Sequence, residues 1–205
     1  MAVHVKMCGI TSASAAKAVS DSGAHAMGLV FYDKSPRSVA AEQARSIVRS
    51  VGGLLNVVAL FVNPAQEHVE SVLSALPINT LQFHGDESSQ FCEQFNRPYI
   101  KAVRVAGPDS VALAAEAHPN ARALLVDAYV PGVEGGTGQQ ANWAWLPKNC
   151  NHSLILAGGL SPENVASAIA QTGIQSVDVS SGIESAPGEK SPDKIRAFMK
   201  GVNGV

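Results

Sequence analysis

Cysteine, aromatic residues and charge of either sign are all sparse in this chain. Its three cysteines, Cys8, Cys92 and Cys150, form no close pair, which argues against a secreted disulfide framework and leaves reduced thiols as the expectation. They show no metal-ligand spacing either, and the six histidines are scattered, so no metal is expected. Fifteen basic and seventeen acidic residues give a net charge of −2 without a run of like sign. Such a balance offers no electrostatic footprint for nucleic acid or an anionic membrane. No apolar stretch approaches the roughly 20 residues that span a bilayer, and the opening MAVHVKMCGIT lacks the basic and apolar regions of a signal peptide. A cytoplasmic protein acting on a small molecule is expected.

What is present is enough for one core. The 205 residues are 46% hydrophobic, which predicts a single domain over 1–205. Eight short apolar runs recur: Val3 to Met7, Ala26 to Phe31, Leu54 to Val62, Thr80 to Phe83, Tyr99 to Val105, Ala123 to Val126, Ser153 to Ala157 and Ser176 to Val179. They are aliphatic and β-branched without strict polar alternation, as parallel strands covered on both faces should be. Between them, Ala40, Ala44, Ile47, Val48 and Val51, and then Val69, Val72, Leu73 and Leu76, each make one helical stripe. A capping residue followed by proline, at Asn63-Pro64, Ser161-Pro162 and Ser191-Pro192, predicts three helix starts. At about 25 residues per strand-helix unit, a closed (β/α)8 TIM barrel is the economical reading. An open doubly wound sheet would usually carry G-x-G-x-x-G at its first turn, and Cys8-Gly9-Ile10-Thr11 lacks it.

In such a barrel the reactive groups stand at the carboxyl ends of the strands. Lys6 and Cys8 share one face of the first strand, so Cys8 reads either as a thiolate base favoured by Lys6 or as a small buried hydrophobe at the rim. Asp127 closes the sixth strand and suits a general acid or a loop cap. Arg37, after the second strand, suits bidentate capture of a carboxylate or a solvated loop charge. His84 reads as a group orienting substrate or as a satisfied rim histidine, and Asp178 lies on the eighth strand. Gly158-Gly159 and Ser180-Ser181-Gly182 follow strands seven and eight, where barrels commonly grip phosphate; each alone reads equally as a tight turn. The loop Pro131 to Gly138, which includes Gly136, is long enough to fold over a ligand.

Taken in order, Lys6-Met7-Cys8-Gly9-Ile10-Thr11, Lys34-Ser35-Pro36-Arg37, Leu81-Gln82-Phe83-His84-Gly85, Asp127, Gly135-Gly136-Thr137-Gly138, Leu156-Ala157-Gly158-Gly159-Leu160 and Asp178-Val179-Ser180-Ser181-Gly182-Ile183-Glu184 closely resemble phosphoribosylanthranilate isomerase, essentially end to end. Two departures stand out: Ser12-Ala13-Ser14-Ala15 replaces acidic residues of the first helix, and Ala141-Asn142 replaces an aromatic residue before Trp143.

The resemblance implies an Amadori rearrangement of N-(5-phosphoribosyl)anthranilate in tryptophan biosynthesis, with neither cofactor nor metal. It implies Asp127 as general acid at the furanose ring oxygen, Cys8 as the base at C2′, Arg37 on the anthranilate carboxylate, and the loops at 158–159 and 180–182 on the phosphate. Lys6, His84, Gly136 and Asp178 complete the expected substrate contacts. Lys6 is expected to favour the Cys8 thiolate, and Asp127 to be buried enough to keep its proton for donation. Two rivals remain at this stage: another phosphosugar barrel enzyme, and a non-catalytic barrel that binds a phosphorylated metabolite.

Overall fold

A computed structural model describes residues 2–53, 55–127, 143–147 and 149–204. Eight parallel strands close into a barrel in sequence order: β1 (His4–Cys8), β2 (Ala26–Val30), β3 (Asn56–Phe61), β4 (Thr80–Phe83), β5 (Tyr99–Arg104), β6 (Ala123–Asp127), β7 (Ser153–Ala157) and β8 (Ser176–Val179). β1 pairs with both β2 and β8, which shuts the cylinder and leaves no sheet edge. Each apolar run of the sequence becomes one strand, with ends moved by two residues or fewer.

The helices α1 (Ala13–Asp21), α2 (Ala41–Arg49), α3 (Gln66–Ala75), α4 (Ser89–Glu93), α5 (Ser110–Ala117), α6 (Val165–Thr172) and α7 (Pro192–Asn203) surround it. Between β6 and β7 the described residues form only a 3₁₀ turn, Trp143–Trp145. Strand residues that point outward, among them Met7, Leu29, Phe61, Phe83, Leu124 and Val177, pack with helix residues such as Ile47, Val69, Ile195 and Phe198 into the main core. Residues on the opposite face line the interior: Cys8, Val30 and Leu60 on one side, Ile100, Ala123, Leu125 and Ala157 on the other. With both faces covered, the strands need no polar alternation.

One of the three proline signals marks a helix start as expected. Ser191 caps α7, with Pro192 in the first turn and its side chain accepting from the Lys194 N–H. At Ser161-Pro162 a turn intervenes and α6 begins three residues later, at Val165. Asn63-Pro64 does not open α3, which starts at Gln66 behind an uncapped Ala65. Asn63 instead has φ 46° and accepts from the Asp86 N–H at 2.7 Å, tying the β3 loop to the β4 loop. Ser12, where the first helix departs from its acidic pattern, is the N-cap of α1 and accepts from the Ala15 N–H at 3.2 Å. A short antiparallel hairpin, β9 (Glu184–Ala186) with β10 (Glu189–Lys190), lies between β8 and α7 and corresponds to none of the apolar runs. No described helix is long and apolar enough to cross a membrane.

Candidate active site

β1 and β8 are in register with Lys6 opposite Asp178. Both side chains are buried, and Lys6 Nζ donates to Asp178 Oδ1 at 2.8 Å. Two residues further along the same face stands Cys8, opposite Gly28 of β2. A Cβ at position 28 would lie 2.6 Å from the Cys8 sulfur and 3.1 Å from Lys6 Nζ, so glycine is what makes room for thiol and ammonium together. Gly28→Ala is therefore expected to displace the sulfur and lower kcat about tenfold, with the melting temperature falling only modestly; steady-state kinetics beside a thermal melt checks it.

Protonation at Cys8 runs against the expectation from sequence. Burial pushes the thiol above its ordinary value; Lys6 and Lys190 oppose this, while Asp178 works with burial. Lys6 acts in the expected direction, but its charge is shared with Asp178, and desolvation of the thiolate wins. For Lys6 itself, burial works to lower the pKa, but the Asp178 carboxylate and Cys8 outweigh it and the net direction is up. Lys6 thus remains charged. It is buried and paired with Asp178, beneath the residues that line the cavity.

The cavity, about 420 Å³, opens at the carboxyl ends of the strands. Cys8, Asp127, His84, Arg37 and Asp178 share its wall with Gly158, Gly159, Ser180 and Ser181. Residues from β1, β6 and the loops after β7 and β8 thus face one volume although they lie as far apart as positions 8 and 181. Asp127 ends β6 at the rim with its side chain 32% exposed, less sheltered than expected, and its Oδ2 lies 3.9 Å from His84 Nε2. Burial lowers the pKa of His84, with Asp127 and Asp178 acting the other way; the ring is neutral at pH 7. Its Nδ1 faces the Gln82 amide nitrogen at 3.2 Å. Gln82, fully buried on the cavity wall, was not singled out in the sequence, and its Oε1 has no partner among the described residues. A glutamine two residues before His84 on the same face of a strand was the signal available.

On the wall formed by the β7 and β8 loops, Gly158 and Gly159 have φ 86° and 66°, conformations that glycine adopts freely and that let backbone N–H groups turn toward a ligand. Gly182 stands behind the cavity wall: a Cβ there would collide with the Leu160 carbonyl, so this glycine lets the β8 loop lie against the β7 loop. Arg37 lines the cavity, but one edge of its fork is already taken. Nε and Nη2 donate to the two Glu184 oxygens, each at 2.7 Å. The Nη1 hydrogens and the second Nη2 hydrogen remain, so the end-on edge of the guanidinium can still take a carboxylate bidentately. Gly136 and the rest of Pro131 to Gly138 lie outside the described residues.

A second hollow, about 590 Å³, adjoins the first beside β5 and shares His84 and Asp127. It is built around the buried Lys101–Glu87 ion pair, 2.9 Å, whose carboxylate also accepts from the N–H groups of Asn63 and Gly85. That cluster braces the β3, β4 and β5 loops.

The chain is similar to known proteins over nearly its whole length. Residues 5–201 match the sequence model of a family described as N-(5'phosphoribosyl)anthranilate (PRA) isomerase. A relative named N-(5'-phosphoribosyl)anthranilate isomerase from Pseudomonas fluorescens (strain Pf0-1) is 49% identical over 98% of each chain. Another of that name, from Neisseria gonorrhoeae, is 45% identical over 98% of this chain and 97% of its own. Among solved structures, phosphoribosyl anthranilate isomerase from Thermotoga maritima superposes with a TM-score of 0.90 at 38% identity, covering 99% of this chain and 100% of that one. A phosphoribosyl anthranilate isomerase in complex with reduced 1-(o-carboxyphenylamino)-1-deoxyribulose 5-phosphate gives 0.87 at 36% identity, with the same coverage.

Proposed function

Since the chain belongs to the N-(5'-phosphoribosyl)anthranilate isomerase family and carries out that isomerisation in tryptophan biosynthesis, we propose that Asp127 is its general acid and Cys8 its general base. The observation that carries this assignment is the shared cavity. A carboxyl group from β6 and a thiol from β1 face one volume, with two glycine- and serine-bearing loops on its wall. Asp127 protonates the furanose ring oxygen and the C1′–O bond breaks, leaving a Schiff base. Cys8 then takes the C2′ proton, and the electron pair moves into an enolamine that tautomerises to the ketone. The phosphate sits against Gly158, Gly159, Ser180 and Ser181, and the Nη1–Nη2 edge of Arg37 meets the anthranilate carboxylate. Holding both ends fixes C2′ and the ring oxygen between base and acid, which can supply several kcal/mol of barrier reduction, of the order seen for well-oriented intramolecular reactions.

His84, neutral and beside Asp127, presents an Nε2–H dipole to the carboxylate that forms when Asp127 gives up its proton. Asp178 lines the cavity next to Cys8 and contacts the sugar. Two proton transfers of this kind need neither cofactor nor metal. We further propose a cytoplasmic location, consistent with three unpaired cysteines, and a small phosphorylated aminosugar as the partner in preference to nucleic acid or a membrane.

The pH profile tests the base. Because burial lifts the Cys8 thiol, kcat/KM, followed by loss of substrate fluorescence, is expected to rise with pH through a limb above the ordinary cysteine value. The limb belongs to the free enzyme. Asp178 raises the thiol pKa, so Asp178→Asn is expected to move the limb toward lower pH even as it reduces kcat. A limb that stays in place in Asp178→Asn would take Cys8 out of the role.

A further inference from the structure

Lys190 is the most completely enclosed cation of the site region: its side chain is 0% exposed. All three ammonium protons are engaged, to Ser180 O at 3.0 Å, Ser180 Oγ at 3.3 Å and Glu184 Oε1 at 2.7 Å. Having no free donor, Lys190 cannot touch a ligand itself. What it touches decides its role. Ser180 belongs to the loop on the phosphate side of the cavity, and its hydroxyl donates to the Cys8 carbonyl at 3.1 Å. Glu184 holds Arg37 through two 2.7 Å bonds, and those bonds with the two cations keep its carboxyl below the ordinary range although burial would lift it.

We propose that Lys190 and Glu184 are positioning residues that join the two anion grips of the cavity, the Ser180–Ser181 loop and the Arg37 guanidinium, into one rigid body. The claim rests on the reading above in which those grips hold phosphate and carboxylate. Two cations and one anion leave this buried cluster with a net charge of +1, an excess that an anionic ligand neutralises. Glu184 occupies the Nε edge of Arg37, which fixes the guanidinium plane and leaves its Nη1–Nη2 edge for the ligand. The spacing between the two grips is then set by protein bonds before substrate arrives, and that removes part of the ordering cost of binding.

The β9–β10 hairpin that supplies Glu184 and Lys190 is itself bonded to the loop after β1 and packed against the loop carrying Arg37. Thr11 Oγ1 donates to the Gly188 carbonyl at 2.6 Å. Gly188, at φ +84°, lies so close to Pro36 that a Cβ would stand 2.8 Å from its carbonyl oxygen. A hairpin needed only to cap the barrel would not require a fully desolvated lysine joining two cavity loops.

The test compares full-length wild type, Glu184→Gln, Lys190→Met and Arg37→Ala by kcat, KM, melting temperature and the competitive inhibition constants of inorganic phosphate and of anthranilate. Glu184→Gln is expected to weaken anthranilate about tenfold and leave phosphate within about twofold, while Lys190→Met weakens both about tenfold, with kcat less affected than KM in each. If Lys190→Met does not fold, the anthranilate-only pattern of the isosteric Glu184→Gln decides. Folded variants with both constants at the wild-type level, or a lower melting temperature with unchanged binding, overturn the proposal. Arg37→Ala with undiminished anthranilate binding instead removes the carboxylate reading, and the phosphate constant of Lys190→Met then judges the Lys190 link alone.

Discussion

Cys8→Ala and Asp127→Asn are each expected to lower kcat by about 10²- to 10⁴-fold while KM changes little, the range a positioned acid or base contributes. An alanine has no site for the C2′ proton, and an asparagine amide has no proton to give to the ring oxygen. Both changes keep or reduce side-chain volume at the cavity wall, where Cys8 is 5% exposed and Asp127 sits at the rim, so substrate still docks between the loops at 158–159 and 180–181. The double variant carries the sharper information. Acid and base act in successive steps, so the slower step sets the turnover, and Cys8→Ala/Asp127→Asn should run close to the slower single variant. Losses that multiply would place both groups in one transition state and overturn the two-step scheme. Progress curves of substrate fluorescence, together with binding of the unreacted substrate to each variant, separate these outcomes.

The strands were legible because each needs only local information: an aliphatic run covered on both faces has one period and one length. Their carboxyl ends followed at once, and with them Cys8, Asp127, His84 and Asp178 as members of one rim. Charge pairing was not legible. Lys6 meets Asp178 across 172 positions and Arg37 meets Glu184 across 147, and only closure of the barrel between β1 and β8 brings such partners together. From the sequence Lys6 looked like a free cation beside Cys8, whereas barrel closure gives it a carboxylate and so changes the balance at the thiol. Glu184 lay inside the motif Asp178-Val179-Ser180-Ser181-Gly182-Ile183-Glu184, yet nothing local marked it as the partner of an arginine on another loop. Lys190 followed a short turn with no recognisable pattern. Asn63 misled for a related reason: its side chain is drawn to the β4 loop, and tertiary hydrogen bonding overrode a local capping signal.

Lys6→Met gives the largest expected loss of stability, because it leaves Asp178 as an uncompensated carboxylate inside the barrel. The two side chains are only 6% and 10% exposed and meet at 2.8 Å, so the water that reaches Asp178 at the cavity wall restores only part of the survivor's solvation. Breaking such a pair from one side costs about 3–5 kcal/mol, and for a chain of this length each kcal/mol lowers the melting temperature by about 2–4 °C. A fall on the order of 10 °C follows, readable by calorimetry. Activity should fall for a separate reason. Lys6 is the first group opposing the upward push of burial on Cys8; without it the thiol moves further up and less thiolate exists at neutral pH. Adding Asp178→Asn distinguishes the two effects. The double variant no longer buries a lone charge and should recover most of the melting temperature, since replacing both partners is far less costly than orphaning one. It has also lost the cation that favours thiolate, so its kcat/KM at neutral pH should stay well below wild type and improve only toward alkaline pH. If stability and activity return together in the double variant, Lys6 serves only to neutralise Asp178 and has no electrostatic part in the proton transfer at Cys8.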